Sequence, residues 1–164
     1  MHRRFLALLL AGMAGAASAQ LTELDPDWKE AQVPPPPALR TGGLIEVEMP
    51  RSSLRFGVDP ASFSIGADGI VRYVVVATST TGTVNAMYEG IRCSTGEVKV
   101  YARHNPDSGW VATKNADWVP LNLTRNSHHS LQVARNGACI GHGPNRSPEN
   151  IVRDLRGGPD MRFR

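Results

Sequence analysis

The sequence predicts an α+β domain: an antiparallel β-sheet built on a meander, one or two C-terminal helices and one disulfide, with a sandwich-like pairing of sheets left open. Three observations carry this reading. Residues 68–102 (DGIVRYVVVATSTTGTVNAMYEGIRCSTGEVKVYA) hold three β-rich runs separated by short Thr/Gly turns. Helix start and stop signals occur late in the chain, between Asn126 and Gly158. Two cysteines, Cys93 and Cys139, stand in a chain that begins with an export signal.

That signal occupies residues 1–19. Met1 to Arg4 is a basic start, Phe5 to Ala17 is an apolar run, and Ala17-Ser18-Ala19 is a small-x-small cleavage site. The run is shorter than the roughly 20 apolar residues a membrane span needs. Cleavage after Ala19 makes Gln20 the mature N-terminus, and the expected location is periplasmic or secreted, with no membrane-spanning segment. Residues 20–41 then form a proline-rich leader, and residues 42–164 a single exported domain.

Net charge excludes little but guides the choice of partner. The 164-residue chain has 18 Lys+Arg against 15 Asp+Glu, a net +3, and loss of Arg3 and Arg4 with the signal brings it to +1. Such a balance gives no general attraction to nucleic acid. Arg153, Arg156, Arg162 and Arg164 make the C-terminal end locally basic, as solvated ends often are. In an oxidising compartment the two cysteines pair, two buried free thiols being the alternative.

In chain order, Asp25-Pro26-Asp27-Trp28-Lys29-Glu30 reads as one capped turn, and Pro34 to Pro37 as polyproline II. Trp28 is costly to leave in water, so the leader is expected to dock as a strap. Leu44–Val47 and Leu54–Val58 read as edge strands, Asp59–Ser62 as a turn, Phe63–Ile65 as a strand end and Ala67-Asp68-Gly69 as a hairpin turn. The meander strands are Ile70–Thr78, Thr83–Cys93 and Glu97–Arg103. In the third, Val98, Val100 and Ala102 point one way and Lys99, Tyr101 and Arg103 the other.

Tight turns at Thr80-Thr81 and Thr95-Gly96 set a register that pairs Val74 with Met87, Arg72 with Glu89, Cys93 with Val98 and Ile91 with Val100. Ile70, Arg72, Val74, Met87, Glu89, Ile91 and Cys93 then share a core face holding an Arg72–Glu89 pair. Tyr73, Tyr88 and Tyr101 share the other face, with Gly90 facing Tyr101, and there the strap should lie. A slip of one residue in the first turn removes the Arg72–Glu89 pair.

Beyond the meander, Trp110–Thr113 is a short strand and Trp118–Leu121 another apolar piece. A helix capped by Asn126 or Ser127 runs to Arg135 and stops at Gly137, with Leu131, Ala134 and Ala138 on one face leading to Cys139. A second helix has Ser147 as its cap and Pro148 at its first position, and ends before Gly157-Gly158.

Chemistry-bearing residues are few. The candidate binding residues are Arg72, Tyr73, Tyr88, Glu89, Arg92 and Tyr101, as an ion pair with its neighbour or as a small-anion site beside tyrosines. No nucleophile elbow, phosphate loop, zinc-protease helix or dinucleotide fingerprint occurs, and neither a metal nor a cofactor is expected. His128-His129 are adjacent and make a poor metal pair, so both are expected at the surface or beside the helix cap. Cys139-Ile140-Gly141-His142 places a thiol near an imidazole, but a disulfide would consume the thiol. Asn122-Leu123-Thr124 is a glycosylation sequon of no consequence outside a eukaryotic secretory route.

Several blocks together resemble a known family. Trp28-Lys29-Glu30, the proline run, Asp68-Gly69-Ile70-Val71-Arg72-Tyr73, Tyr88-Glu89-Gly90-Ile91-Arg92-Cys93, Tyr101-Ala102, a following Trp and a last Cys after a helix are similar to the CNP-one-like family of exported Gram-negative proteins. The pattern departs at Gly137-Ala138-Cys139, where the family would place a bulky aromatic before the cysteine. The resemblance implies a periplasmic protein and supplies no catalytic residues. The expected function is therefore a non-enzymatic binding or interaction module at the envelope, its partner an envelope protein or a small ligand. The competing expectation is a small hydrolase using Glu89 with His104 or His129.

Overall fold

The structure is a computed structural model, and it describes residues 25–50, 52–121 and 128–157. The expected signal peptide and cleavage site, the Asn122 sequon, the expected Asn126/Ser127 cap, and Arg162 and Arg164 lie outside the described residues. Ten strands and two α-helices follow one another in the described chain. They are β1 (Ile45–Val47), β2 (Arg55–Val58), β3 (Ser64–Ile65), β4 (Ile70–Thr78), β5 (Val84–Arg92), β6 (Glu97–Asn105), β7 (Gly109–Ala112), β8 (Val119–Pro120), α1 (His128–Val133), β9 (Cys139–Ile140), β10 (Gly143–Pro144) and α2 (Pro148–Arg156).

One antiparallel sheet dominates, in the order β1-β2-β4-β5-β6-β7, with β3 beside β4 and β8 beside β6. Both β2 and β3 pair with β4. Between them the chain makes a single 3-10 turn, Pro60–Ser62, capped by Asp59, whose carboxylate accepts from Ala61 N. Ser62 Oγ accepts from Val74 N at 2.8 Å, so β4 loses no hydrogen bond where its neighbour steps away. Strand β4 is buried along nearly its whole length, as its unbroken β-branched run foretells.

The meander forms as expected, but its registers differ. Thr78 pairs with Val84, leaving a five-residue connection in which Gly82 has φ +86° and Thr83 N donates to Ser79 Oγ. A left-handed glycine closing the turn adds a residue to the two-residue turn expected from Thr80-Thr81. The slip of one places Tyr73, not Arg72, opposite Glu89, and Val74 opposite Tyr88. The Arg72–Glu89 pair therefore does not form, and the two residues lie on opposite faces. In the second hairpin Arg92 pairs with Glu97 and Ile91 with Val98. That is a shift of two, which preserves the faces.

A bulge then breaks the alternation of β6. Glu89 pairs with Val100 and Tyr88 with Ala102, so Tyr101 is the extra residue. Ala102 consequently joins the Tyr88 side rather than the Val98 side, and Arg103 turns to the other face.

Each face of the sheet has its own cover. On one, Val71, Tyr73, Val75, Ile91 and Val98 pack against Val133, Ala134, Ala138, Ile151 and Leu155 of the helical layer. The Cys93–Cys139 disulfide joins sheet and helical layer across 46 residues of chain. Cross-linking a loop of that length constrains the unfolded chain by about 4 kcal/mol in the loop-entropy account. Helix α1 is shorter than expected and widens into a π-type turn, Ala134–Ala138. Gly137 there is extended (φ 178°), and its role is spatial: a Cβ would lie 2.9 Å from Ile151 O and from the Leu155 side chain. Helix α2 begins as expected, with Ser147 Oγ accepting from Asn150 N and Pro148 at the first position.

The other face is covered by the leader. Val33, Leu39 and Leu44 pack on Val74, Val76, Ala86, Tyr88 and Ala102. Trp28 Nε1 donates to Asp68 O at 2.9 Å and Trp110 Nε1 to Pro37 O at 2.8 Å, fixing both ends of the strap. Tyr101 lies across the bare backbone of Gly90, where a Cβ would stand 2.6 Å from the Tyr101 ring and 2.8 Å from Ile70. We expect Gly90→Ala to cost about 1–3 kcal/mol through this crowding. A urea titration with an unchanged slope and a lowered midpoint would show it, and a midpoint equal to wild type would mean that Tyr101 can withdraw.

Candidate functional site

The six residues singled out from the sequence divide between the two faces. Tyr73 and Glu89 lie under the helical layer. Arg72, Tyr88, Arg92 and Tyr101 lie on or beside the strap.

Glu89 is the centre of the first group. It sits in the middle of β5, 1% exposed, and accepts from Tyr73 OH at 2.7 Å and Ser130 Oγ at 2.9 Å. His129 Nε2 lies 3.0 Å from its other oxygen. Burial pushes the Glu89 carboxyl up, but the His129 charge and the three hydrogen bonds outweigh this and hold it below its ordinary value. Tyr73 is driven well above its ordinary value by burial and by the neighbouring carboxylate, so it remains a donor. His129 is thus not a surface residue: it is 2% exposed and stacks on Phe56 at 4.8 Å, whereas His128 is exposed. Helix α1 turns one of two adjacent histidines inward, because neighbours on a helix point in different directions.

His104, the other imidazole considered, pairs across from Ala86 and packs edge-on against Trp110, on the strap side of the sheet. His142 is exposed, and Cys139 is consumed by its disulfide.

The strap side is a run of cations and aromatic rings. Arg72, 1% exposed, makes two hydrogen bonds to Asp68, at 2.6 and 3.2 Å. Asp68 also accepts from Ala31 N of the strap and Ile70 N. Burial raises the Asp68 carboxyl, yet the bonds from Arg72, Ala31 and Ile70 bring it below its ordinary value. Arg92 stacks on Trp28 at 3.6 Å, and Trp28 meets Trp118 edge-on. Glu30 of the strap accepts from Tyr101 OH at 2.7 Å and pairs with Lys99 at 2.9 Å. The leader thereby covers this face and pairs with Tyr101, Lys99 and Asp68, while Arg72 Nε and Arg92 Nε stay buried without a hydrogen-bond partner among the described residues.

A cleft of about 360 Å³ lies open on the helical side, between β5–β6 and the β7–β8 connection. Glu89 and Ser130 line it, Met87, Val98, Val100 and Val119 supply apolar wall, and Arg103 and Asp117 stand at its lip. Thr113 also lines it, and its Oγ1 is buried without a hydrogen-bond partner among the described residues. Arg103 reaches this side only because the Tyr101 bulge reverses the alternation. Among the described residues no cluster of three or more His, Cys, Asp or Glu side chains can hold a metal ion, and no helix is long and apolar enough to cross a membrane.

Residues 23–156 match the CNP1-like family, a span that takes in the strap, the whole sheet, the disulfide and α2. The chain belongs to the CNP1-like family. It is similar to the cryptic neisserial protein 1 of Neisseria gonorrhoeae, at 23% identity over 146 residues, covering 79% of this chain and 72% of the relative. No solved structure matches.

In this CNP1-like chain, sequence reasoning found Glu89 and named His129 as one of two imidazoles to join it, but set Tyr73 on the opposite face and missed Ser130. Ser130 has no signal of its own in the sequence, and Thr113 stands out only because its hydroxyl has nowhere to go. Two buried carboxyls held below their ordinary values, Asp68 and Glu89, have a linked consequence. Each stabilises the fold above its unfolded value (about 3.9 for Asp and 4.3 for Glu), and that stability is lost as pH falls through the lowered folded value. Wild type should hold a constant urea midpoint from neutral pH to about 5 and lose stability below about 4. Asp68→Asn strands Arg72, costs about 3–5 kcal/mol at neutral pH, and flattens the acid limb. An acid limb of unchanged slope in the variant would show that Asp68 carries none of it.

Proposed function

We propose that this chain is an exported, non-enzymatic binding module and that the cleft over Glu89 takes a small amphipathic ligand. One observation carries the reading: Thr113, Glu89 and Ser130 line one cleft, and Thr113 Oγ1 is a buried hydroxyl without a hydrogen-bond partner among the described residues. A buried polar group left unpaired costs about 1–3 kcal/mol, which a ligand atom reaching it recovers. Apolar walls with a few polar groups are the ordinary composition of a small-molecule site. A ligand with a hydrogen-bond donor on a short apolar body suits this lining, because Glu89 can only accept.

The arrangement of the Glu89 cluster favours binding over hydrolysis. In a nucleophile–base relay the imidazole lies between the carboxylate and the hydroxyl. Here the carboxylate lies between them, since Ser130 Oγ donates to Glu89 and not to His129. Ser130 is thereby held as a donor and is not activated as a nucleophile. The export half of the proposal draws on the basic-apolar-small pattern of residues 1–19 and on a disulfide that an oxidising compartment maintains.

Thr113→Val separates stability from binding. It removes the unpaired hydroxyl at constant shape, so the variant should be more stable than wild type by about 1 kcal/mol. It should also lose the ligand-observed NMR signals that wild type gives with a panel of short alkyl amines, amino alcohols and amides. A variant that is less stable, or that binds the panel as wild type does, would refute the cleft as the site. Export is checked by intact mass: protein recovered from the periplasm should begin at Gln20 and carry no free thiol, whereas a chain retained in the cytoplasm with residues 1–19 attached would contradict it.

A further inference from the structure

A second feature stands apart from the cleft, at the end of the sheet. Strand β1 pairs with β2 on one side only and is the last strand in the order β1-β2-β4-β5-β6-β7. Its other side faces a groove of about 650 Å³. The strand side of the groove is residues 43–48 with Pro50, and the far side is Gln132, Asn136, Leu155 and Arg156 of the helical layer. No hydrogen bond among the described residues covers that edge.

Alternation along β1 determines what can lie there. Ile45 and Val47 are buried toward the helical layer, and Leu155 joins them in the same apolar cluster. Glu46 points away from that layer and is exposed, as is Glu48, which continues the alternation. Neither glutamate forms an ion pair among the described residues. A strand added to this edge would set every second side chain over Leu155 and the intervening ones beside Glu46 and Glu48. Directly opposed unlike charges stabilise an added strand, and like charges oppose it.

We propose that the free edge of β1 docks an extended segment of a partner protein in which apolar residues alternate with lysine or arginine. Main-chain hydrogen bonds to β1 supply affinity, and the two faces supply selectivity. Proline at the edge position would be rejected for want of its N–H. The charge requirement comes from the Glu46–Glu48 pair and the apolar requirement from the groove floor.

The test uses the full disulfide-bonded protein and a fluorescent eight-residue peptide alternating leucine with lysine, read by anisotropy. Three controls accompany it: the same composition with lysines and leucines in blocks, an alternating leucine–glutamate peptide, and Glu46→Lys/Glu48→Lys protein. Both glutamates are exposed, so the double variant should melt as wild type does. The alternating basic peptide should bind, and charge reversal on either partner should weaken it about tenfold or more. Amide exchange at residues 44–48 should slow on binding. Equal binding of the blocked or acidic peptide, or slowed exchange elsewhere in the sheet, overturns the proposal. So does a concentration-dependent dimer that the double variant abolishes, which would assign the edge to a second copy of this chain. Binding that appears only after removal of residues 158–164 would assign the edge to the chain's own C-terminal segment and overturn it equally.

Discussion

The one-residue register of the β4–β5 hairpin is the constraint on which the rest depends. A strand displays its side chains alternately, so a slip of one exchanges every residue between the two faces. With Tyr73 opposite Glu89, the carboxylate of Glu89 faces the helical layer and gathers Tyr73, Ser130 and His129. Arg72 is then turned to the strap, where Asp68 waits in the preceding turn. In the other register Arg72 and Glu89 would pair with each other, Asp68 and His129 would each lose a partner, and the helical layer would meet a guanidinium in place of a phenol ring. Gly82 selects between these arrangements by closing the turn with a left-handed residue.

Much of the architecture was legible because it rests on local chemistry. The β-branched run of β4 and the Ser147-Pro148 start of α2 follow from residue types at short range, and the pairing of Cys93 with Cys139 from a count of two cysteines behind an expected export signal. Docking of the Trp28 leader followed from the cost of leaving indole in water. What was not legible depends on counting residues between strands. Thr80-Thr81-Gly82 permits either a two-residue turn or a longer one, and the choice shifts Arg72 from one face to the other. The Tyr101 bulge has no marker in a segment that alternates cleanly. His129 looked like a surface residue because its partners, Glu89 and Phe56, lie 40 and 73 positions away. The site residues were thus recognised singly as unusual charges and aromatics, but their grouping was set by register.

The strap changes what the tyrosine face means. Tyr101 and Lys99 are satisfied by Glu30, Asp68 receives Ala31 N, and Arg92 is capped by Trp28. Desolvating these charges without such partners would be expensive. The leader is therefore a structural layer that completes a sheet with apolar and charged residues on both sides. A proline-rich segment is well suited to form such a layer, because it is extended before it docks and loses little conformational freedom in doing so.

With both faces of the sheet covered, the free surfaces are those that the covering layers fail to reach. Among other openings, the helical layer leaves the cleft over Glu89, where the β7–β8 connection stands off β5–β6, and the groove between β1 and the helices. These differ in kind. The cleft has a depth of buried polar groups suited to a small molecule, whereas the groove has a backbone edge suited to a chain. They are also separated by two strands, since β2 and β4 stand between β1 and β5. The strand that carries Glu89 is next to the strand that carries Arg72, so cleft and strap are joined through a single hairpin. A change at the Glu89 cluster that altered the twist of β4–β5 would move Arg72 against Asp68, and with it the anchor of Trp28. The Glu89 cluster is thus linked to the strap through that hairpin, and to β2 and β1 by a second route, the stack of His129 on Phe56 and the packing of α1 beside β1.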